Sequence, residues 1–193
     1  LERQMGVTPG PIPSTKPANA SLPAVRTAEE TPKVPQKGAL GFVQQHQTAA
    51  AQVSQQSGIP ATFMLAQAAL ETGWGAKEII GRDGTRSHNL FGIKAGSNWK
   101  GPTVDVMTTE YVDGKPQKLM QKFRAYGSFA ESFADYARLI NDNPRYAAAR
   151  GAVGNPKAFA QNLQTAGYAT DPAYAQKLSA VIDTASRLQR QLA

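Results

Sequence analysis

The chain has 193 residues, no cysteine, a net charge of +7 and no run of apolar residues long enough to span a membrane. This excludes disulfides, cysteine-ligated zinc and thiol nucleophiles. It leaves room for one domain of ordinary size plus a tail, and the positive charge points to an anionic partner. The chain starts at Leu1 with no basic-then-apolar leader, as expected of a piece cut from a longer protein whose address lies upstream.

Residues 1–37 hold seven of the 13 prolines, interspersed with Thr, Ser, Ala and Lys and without hydrophobic periodicity. They read as a disordered Pro-rich linker, because such a segment cannot bury enough apolar surface to offset its ordering entropy. The folded domain is expected over 38–193. Leu40, Val43, Ala50 and Val53 fall at helical spacing from Ala39 to the Ser57-Gly58 stop. Ile59-Pro60 opens a second helix, with proline expected at its first position and Gly73 at its end.

That helix carries the residue most in need of explanation. Phe63, Ala66, Ala69 and Leu70 form an apolar stripe, and Glu71 then places a lone carboxylate in the last turn. The negative end of the helix dipole and the flanking Leu70 and Trp74 both favour the protonated acid, as a general acid requires. Ala76–Ile80 reads as a single helical turn, 82–87 as a loop, and 89–95 as either a short strand or a close-approach loop beneath a cleft. Two alternating runs between Thr103 and Tyr126 flank Asp113-Gly114, the signature of a β-hairpin. On its first strand Val104, Val106, Thr108, Glu110 and Val112 share a face, so a second carboxylate sits in a mostly apolar row; Lys118 or Lys122 of the return strand are its plain partners. Ser128 and Glu131 form a capping box before a helix buried through Phe129, Phe133, Tyr136 and Ile140. Asp135 lies in it, and a salt bridge or backbone hydrogen bond is its ordinary role. Asn155-Pro156 starts another helix ending at Gly167; Asp171-Pro172 caps the last, striped with Tyr174, Leu178, Val181 and Leu188.

Two carboxylates from different elements, with Trp74, Trp99, Tyr111, Tyr126 and Tyr168 as available aromatics, point to glycoside cleavage. One acid protonates the leaving oxygen, the other activates water or stabilises the developing positive charge, and aromatic faces stack on sugars. Trp74, Phe91, Tyr111 and Tyr126 are the candidate sugar-binding residues. Phosphate-loop, nucleophile-elbow and zinc-protease motifs are absent, His46 lacks a partner at i+4, and His88 beside Ser87 lacks an orienting group, so neither a metal nor another cofactor is expected. Lys115, Lys118, Lys122 and Arg124 concentrate on the return strand, where they suit an anionic glycan as well as nucleic acid; nucleic acid is not the expected partner.

The runs Ala66–Gly75 and Asn89–Lys94, with Glu110-Tyr111, Phe123–Tyr126 and Gly167–Asp171, in this order over about 38–191, resemble the bacterial cell-wall glucosaminidase family, and within it the flagellum-associated peptidoglycan hydrolases. The resemblance implies an α+β, mainly α fold: a lysozyme-like helical lobe, a small β-hairpin lobe and a cleft between them for β-1,4-linked amino sugars. It implies Glu71 as general acid, Glu110 as the second acidic residue, and Tyr168 and Asp135 as further site residues. It also implies a periplasmic enzyme acting on peptidoglycan strands for passage of the flagellar rod, with rod proteins met through a region missing upstream. Inverting, retaining and substrate-assisted routes stay open, as do cleavage after N-acetylglucosamine or N-acetylmuramic acid. A lytic transglycosylase and a non-catalytic wall-binding or rod-scaffolding module are the alternatives.

Overall fold

The structure, a computed structural model, describes residues 38–193, so the linker expected over 1–37 lies outside the described residues. Helix α1 (Ala39–Ser57) ends at Gly58 in the left-handed conformation, with the Gly58 amide donating to the Ser54 carbonyl at 2.9 Å. Helix α2 (Ala61–Thr72) begins one residue later than expected: Pro60, with ψ 133°, caps the helix rather than occupying its first turn. Its near-continuous apolar sequence leaves Phe63 to Ala69 buried on every side, and the helix sits against α1 and the C-terminal helix.

The expected turn at 76–80 is absent. Lys77–Ile79 carries no helical hydrogen bonding, and Ile80 makes an isolated antiparallel bridge to Arg86. Strands β1 (Thr103–Val112) and β2 (Lys115–Arg124) pair antiparallel in full register from Thr103↔Arg124 to Val112↔Lys115. Asp113 and Gly114 turn the chain with φ 51° and 74°, both positive as the tight hairpin turn demands. Val104 and Phe123 root the hairpin in a small second core with Ile79 and Ala125, while its tip, residues 111–120, is exposed.

Helix α3 (Phe129–Asp142) opens with the expected capping box in modified form: Ser128 Oγ accepts from the Glu131 amide at 3.2 Å, and Glu131 Oε2 accepts from the Gly127 amide at 2.8 Å. A 3-10 turn (Pro144–Tyr146) and the short α4 (Ala147–Arg150) follow, neither evident from periodicity. Asn155 caps α5 (Pro156–Thr165). Helix α6 (Tyr174–Leu192) starts two residues beyond the expected Asp171-Pro172 cap, because Asp171 Oδ1 accepts from the Ala173 amide at 2.8 Å and so closes a turn ahead of the helix. The main core runs through all six helices, with Phe91, Phe133, Phe159, Tyr136, Tyr146 and Tyr168 at its centre. The architecture is α+β, mainly helical, with one hairpin lobe.

Candidate active site

Glu71 occupies the penultimate position of α2, where the helix is stopped by Gly73 at φ 56° and the chain keeps the left-handed conformation through Trp74 at φ 57°. A non-glycine residue there carries about 1–2 kcal/mol of strain. The junction is tied by Thr72, whose hydroxyl donates to the Ala68 carbonyl at 2.7 Å and accepts from the Gly75 amide at 2.9 Å. Burial pushes the Glu71 carboxyl up to about 8, so the acid holds its proton at neutral pH. Gly92, at φ 64°, lies directly against it: a Cβ there would stand 3.4 Å from Glu71 Oε2.

Within electrostatic reach of Glu71 is a cluster of tyrosines. Tyr168 is 1% exposed, 5.7 Å from Tyr174, 5.9 Å from Tyr146 and 6.5 Å from Tyr136 between ring centroids. Burial raises the Tyr168 and Tyr174 hydroxyls well above their ordinary range, and the Glu71 charge adds to the rise in both. The Tyr136 and Tyr168 hydroxyls have no hydrogen-bond partner among the described residues. Gln67, one turn before Glu71 and fully buried, donates from Nε2 to the Tyr174 hydroxyl at 2.9 Å. This polar pair was not anticipated from the sequence; a glutamine one turn before the acid on an otherwise apolar helix was its signal.

Glu110 lies on the hairpin, with Oε1 3.3 Å from Lys94 Nζ and in contact with Gln121 Nε2. Its partners are therefore not Lys118 or Lys122, and Lys122 pairs instead with Asp105 at 3.0 Å. Asp135 is 4% exposed and fully engaged: Oδ2 accepts from Arg124 Nη1 at 3.0 Å and from the Tyr126 hydroxyl at 2.5 Å, and Oδ1 from Arg138 Nη2 at 3.3 Å. It has the salt-bridging role expected of an ordinary buried aspartate, joining α3 to the end of β2.

The aromatic expectations divide. Phe91 is completely buried and stacks on Tyr136 at 4.3 Å, so it supports the site from below and has no face to offer a sugar. Tyr126 is likewise interior, its hydroxyl committed to Asp135 and its ring edge-on to Trp99 at 5.8 Å. Phe91 belongs to the main core, whereas Tyr126 is buried outside both core clusters. Trp74 is half-buried and edge-on to Phe42 at 6.0 Å, Tyr111 is half exposed near the hairpin tip, and Trp99 lies under the Arg124 guanidinium at 4.7 Å. His46 is caged by Phe42, Phe129 and Phe133, and burial lowers it to about 4. His88 Nδ1 hydrogen-bonds the Tyr126 carbonyl at 2.9 Å and Ser87 Oγ donates to the Ile79 carbonyl, so the pair serves the loop and not a nucleophile. Among the described residues there is no cluster of three or more metal-ligating side chains.

A carboxyl held protonated inside the fold and a second acid on a hairpin can supply acid catalysis and charge stabilisation to a leaving oxygen. The chain is similar to the peptidoglycan hydrolase FlgJ of Escherichia coli K12, with 50% identity over 141 residues covering 73% of this chain and 45% of that protein. It is 40% identical to the exo-glucosaminidase LytG of Bacillus subtilis over 127 residues, 63% of this chain and 43% of that protein. The chain thus spans less than half the length of these relatives. Among solved structures, a mutant peptidoglycan hydrolase from Sphingomonas sp. A1 superposes with a TM-score of 0.71 at 47% identity, covering 79% of this chain and 99% of that one. The glycoside hydrolase domain of Salmonella typhimurium FlgJ gives 0.68 at 40% identity, covering 81% and 93%. Residues 47–187 match the glucosaminidase family, described as mannosyl-glycoprotein endo-beta-N-acetylglucosaminidase, and the chain belongs to that family.

Proposed function

We propose that residues 38–193 form a peptidoglycan glycosidase that cleaves β-1,4-linked amino-sugar strands, with Glu71 as general acid and Glu110 as base or charge stabiliser. The observation that carries this reading is the Glu71 carboxyl, half-buried at the end of α2 against Gly92 in a glucosaminidase-family chain and raised to about 8 by desolvation. A protonated acid at neutral pH delivers its proton to the departing glycosidic oxygen; Glu110, on the hairpin, meets the positive charge left on the sugar. Tyr168, whose hydroxyl feels the Glu71 charge, belongs to the same site, and Trp74 and Tyr111 are the sugar-facing aromatics. The similarity to the peptidoglycan hydrolase FlgJ, with the resemblance to flagellum-associated hydrolases, supports a periplasmic role in opening the wall for the flagellar rod, with rod proteins as partners.

Digestion of purified peptidoglycan by wild type and Glu71→Gln, with reduced products identified by mass spectrometry, tests the proposal. Reducible N-acetylglucosamine ends, lost in the variant, are the expected result. N-acetylmuramic acid ends would make the enzyme a muramidase, anhydro ends a transglycosylase, and no fragments from folded wild type a binding module.

A further inference from the structure

The loop 89–95 reaches both acids. Gly92 lies against Glu71, and Lys94, two residues on, pairs with Glu110. Two residues of chain therefore set how the helix carboxyl and the hairpin carboxyl stand to each other. The loop is in turn stapled along the end of β2. The Ala95 amide donates to the Lys122 carbonyl at 2.9 Å, the Arg124 amide to the Ile93 carbonyl at 3.0 Å, and Lys94 bridges Phe123. Asn89 adds four bonds, donating from Nδ2 to the Ile93 and Arg124 carbonyls and accepting at Oδ1 from the Phe91 and Ile93 amides.

Arg124 closes the arrangement. Its Nε donates to the Lys94 carbonyl at 3.3 Å, its Nη1 to Asp135 at 3.0 Å, and its guanidinium covers the Trp99 ring. A planar guanidinium can hold a carbonyl, a carboxylate and a ring at once, which an ammonium cannot. The Arg124–Asp135 pair is nearly enclosed, with side chains 11% and 6% exposed, whereas Lys94 and Glu110 keep 24% and 36%. The buried pair is the fixed end and the half-open pair the working end.

We propose that Lys94 is a positioning residue for Glu110, and that Asp135 acts on the reaction only through Arg124 and Lys94. Lys94 Nζ, together with Gln121 Nε2, aims the Glu110 carboxylate, while Arg124 and Asp135 hold the Lys94 backbone in place. The proposal rests on the function assigned to Glu110 above and extends it to residues that touch neither sugar nor reacting atoms.

A double-mutant cycle on soluble peptidoglycan strands tests it, with kcat and KM measured for Lys94→Met, Lys94→Arg, Glu110→Gln and the Lys94→Met/Glu110→Gln pair. Coupled neighbours typically interact by a few-fold to about a hundredfold. The expected result is that Lys94→Met lowers kcat by about that range with KM little changed, that Lys94→Arg recovers most of it, and that the double variant is no slower than Glu110→Gln alone. Asp135→Asn, checked by circular dichroism for an intact fold, is expected to add nothing to Lys94→Met. Losses that multiply, or a Lys94→Met enzyme at wild-type kcat, would overturn the positioning role while leaving Glu110 in place. Wild-type turnover in Glu110→Gln would instead remove the function assigned to Glu110, and the proposal with it.

Discussion

Gly92 packs against the Glu71 carboxyl so closely that a single added carbon would stand 3.4 Å from Oε2. Its φ of 64° is one that side chains with a Cβ rarely adopt. Gly92→Ala is therefore expected to cost about 1–2 kcal/mol from the left-handed backbone alone. Activity should fall only as far as the strained loop shifts against the acid, because the methyl itself just reaches van der Waals contact with Oε2. Thermal melts and turnover on peptidoglycan would check both; a variant equal to wild type in both would show that the loop gives way freely.

Glu71→Gln should lose at least about a hundredfold in kcat with the fold retained, the scale of general acid catalysis. Turnover within a few-fold of wild type would rule out Glu71 as the acid.

The same substitution makes a stability prediction of known sign. Glu71 rises from 4.5 to about 8 on folding, so between these values the native state binds more protons than the unfolded chain, and stability falls as pH rises. The stabilising neutral form is fully present below 4.5 and lost through 8. Glu71→Gln, which cannot ionise, should gain stability over wild type as pH is raised from 5 to 8, by up to a few kcal/mol, about 1.4 per pH unit at most. Urea denaturation across that range measures the difference.

His46 works in the opposite direction. Burial lowers it from 6.5 to about 4, so the unfolded chain binds more protons in that window and stability is lost as pH falls from 6.5 through 4. Between about 4.5 and 6.5 the two groups oppose each other, and the wild-type profile is expected to be nearly flat there. His46→Gln should uncover the Glu71 slope in the same range, read from urea midpoints at pH 4.5, 5.5 and 6.5. An unchanged plateau would mean that other groups set it.

Asp135→Ala should be among the most damaging single changes in the chain. It strips a buried carboxylate from Arg124, Arg138 and the Tyr126 hydroxyl and leaves the nearly buried Arg124 charge without its carboxylate. Breaking one side of such a pair costs about 3–5 kcal/mol. A loss below about 1 kcal/mol in chemical denaturation would show that water replaces the carboxylate without penalty.

Much of the fold could be read from local pattern, because local chemistry decides it. The Gly58 and Gly73 stops, the Asp113-Gly114 turn and the Ser128 cap each depend on residues within four positions, and each stands where the spacing predicts. The misreadings are also local: Pro60 and Asp171 sit just outside their helices, and the segment after Trp74 turns without becoming helical. The aromatics were harder. The spacing around Phe91 and Tyr126 leaves core packing and sugar contact both open, and only their partners on α3, Tyr136 for Phe91 and Asp135 for Tyr126, make them interior.

By itself the sequence determined the two acids and the elements that carry them, since a carboxylate at the end of an apolar helix and another in a hairpin row are visible in one dimension. The Pro-rich composition of residues 1–37 is equally a property of the chain as written. Tertiary structure alone decided what surrounds those acids: the tyrosine cluster of α3, α5–α6 and the 3-10 turn within electrostatic reach of Glu71, the Gly92 contact, and the run from Asp135 through Arg124 and Lys94 to Glu110. The physical reason is range. Capping and turn formation are settled within a few residues, whereas desolvation and ion pairing depend on groups far apart in the chain, and their spacing leaves no periodic mark on it.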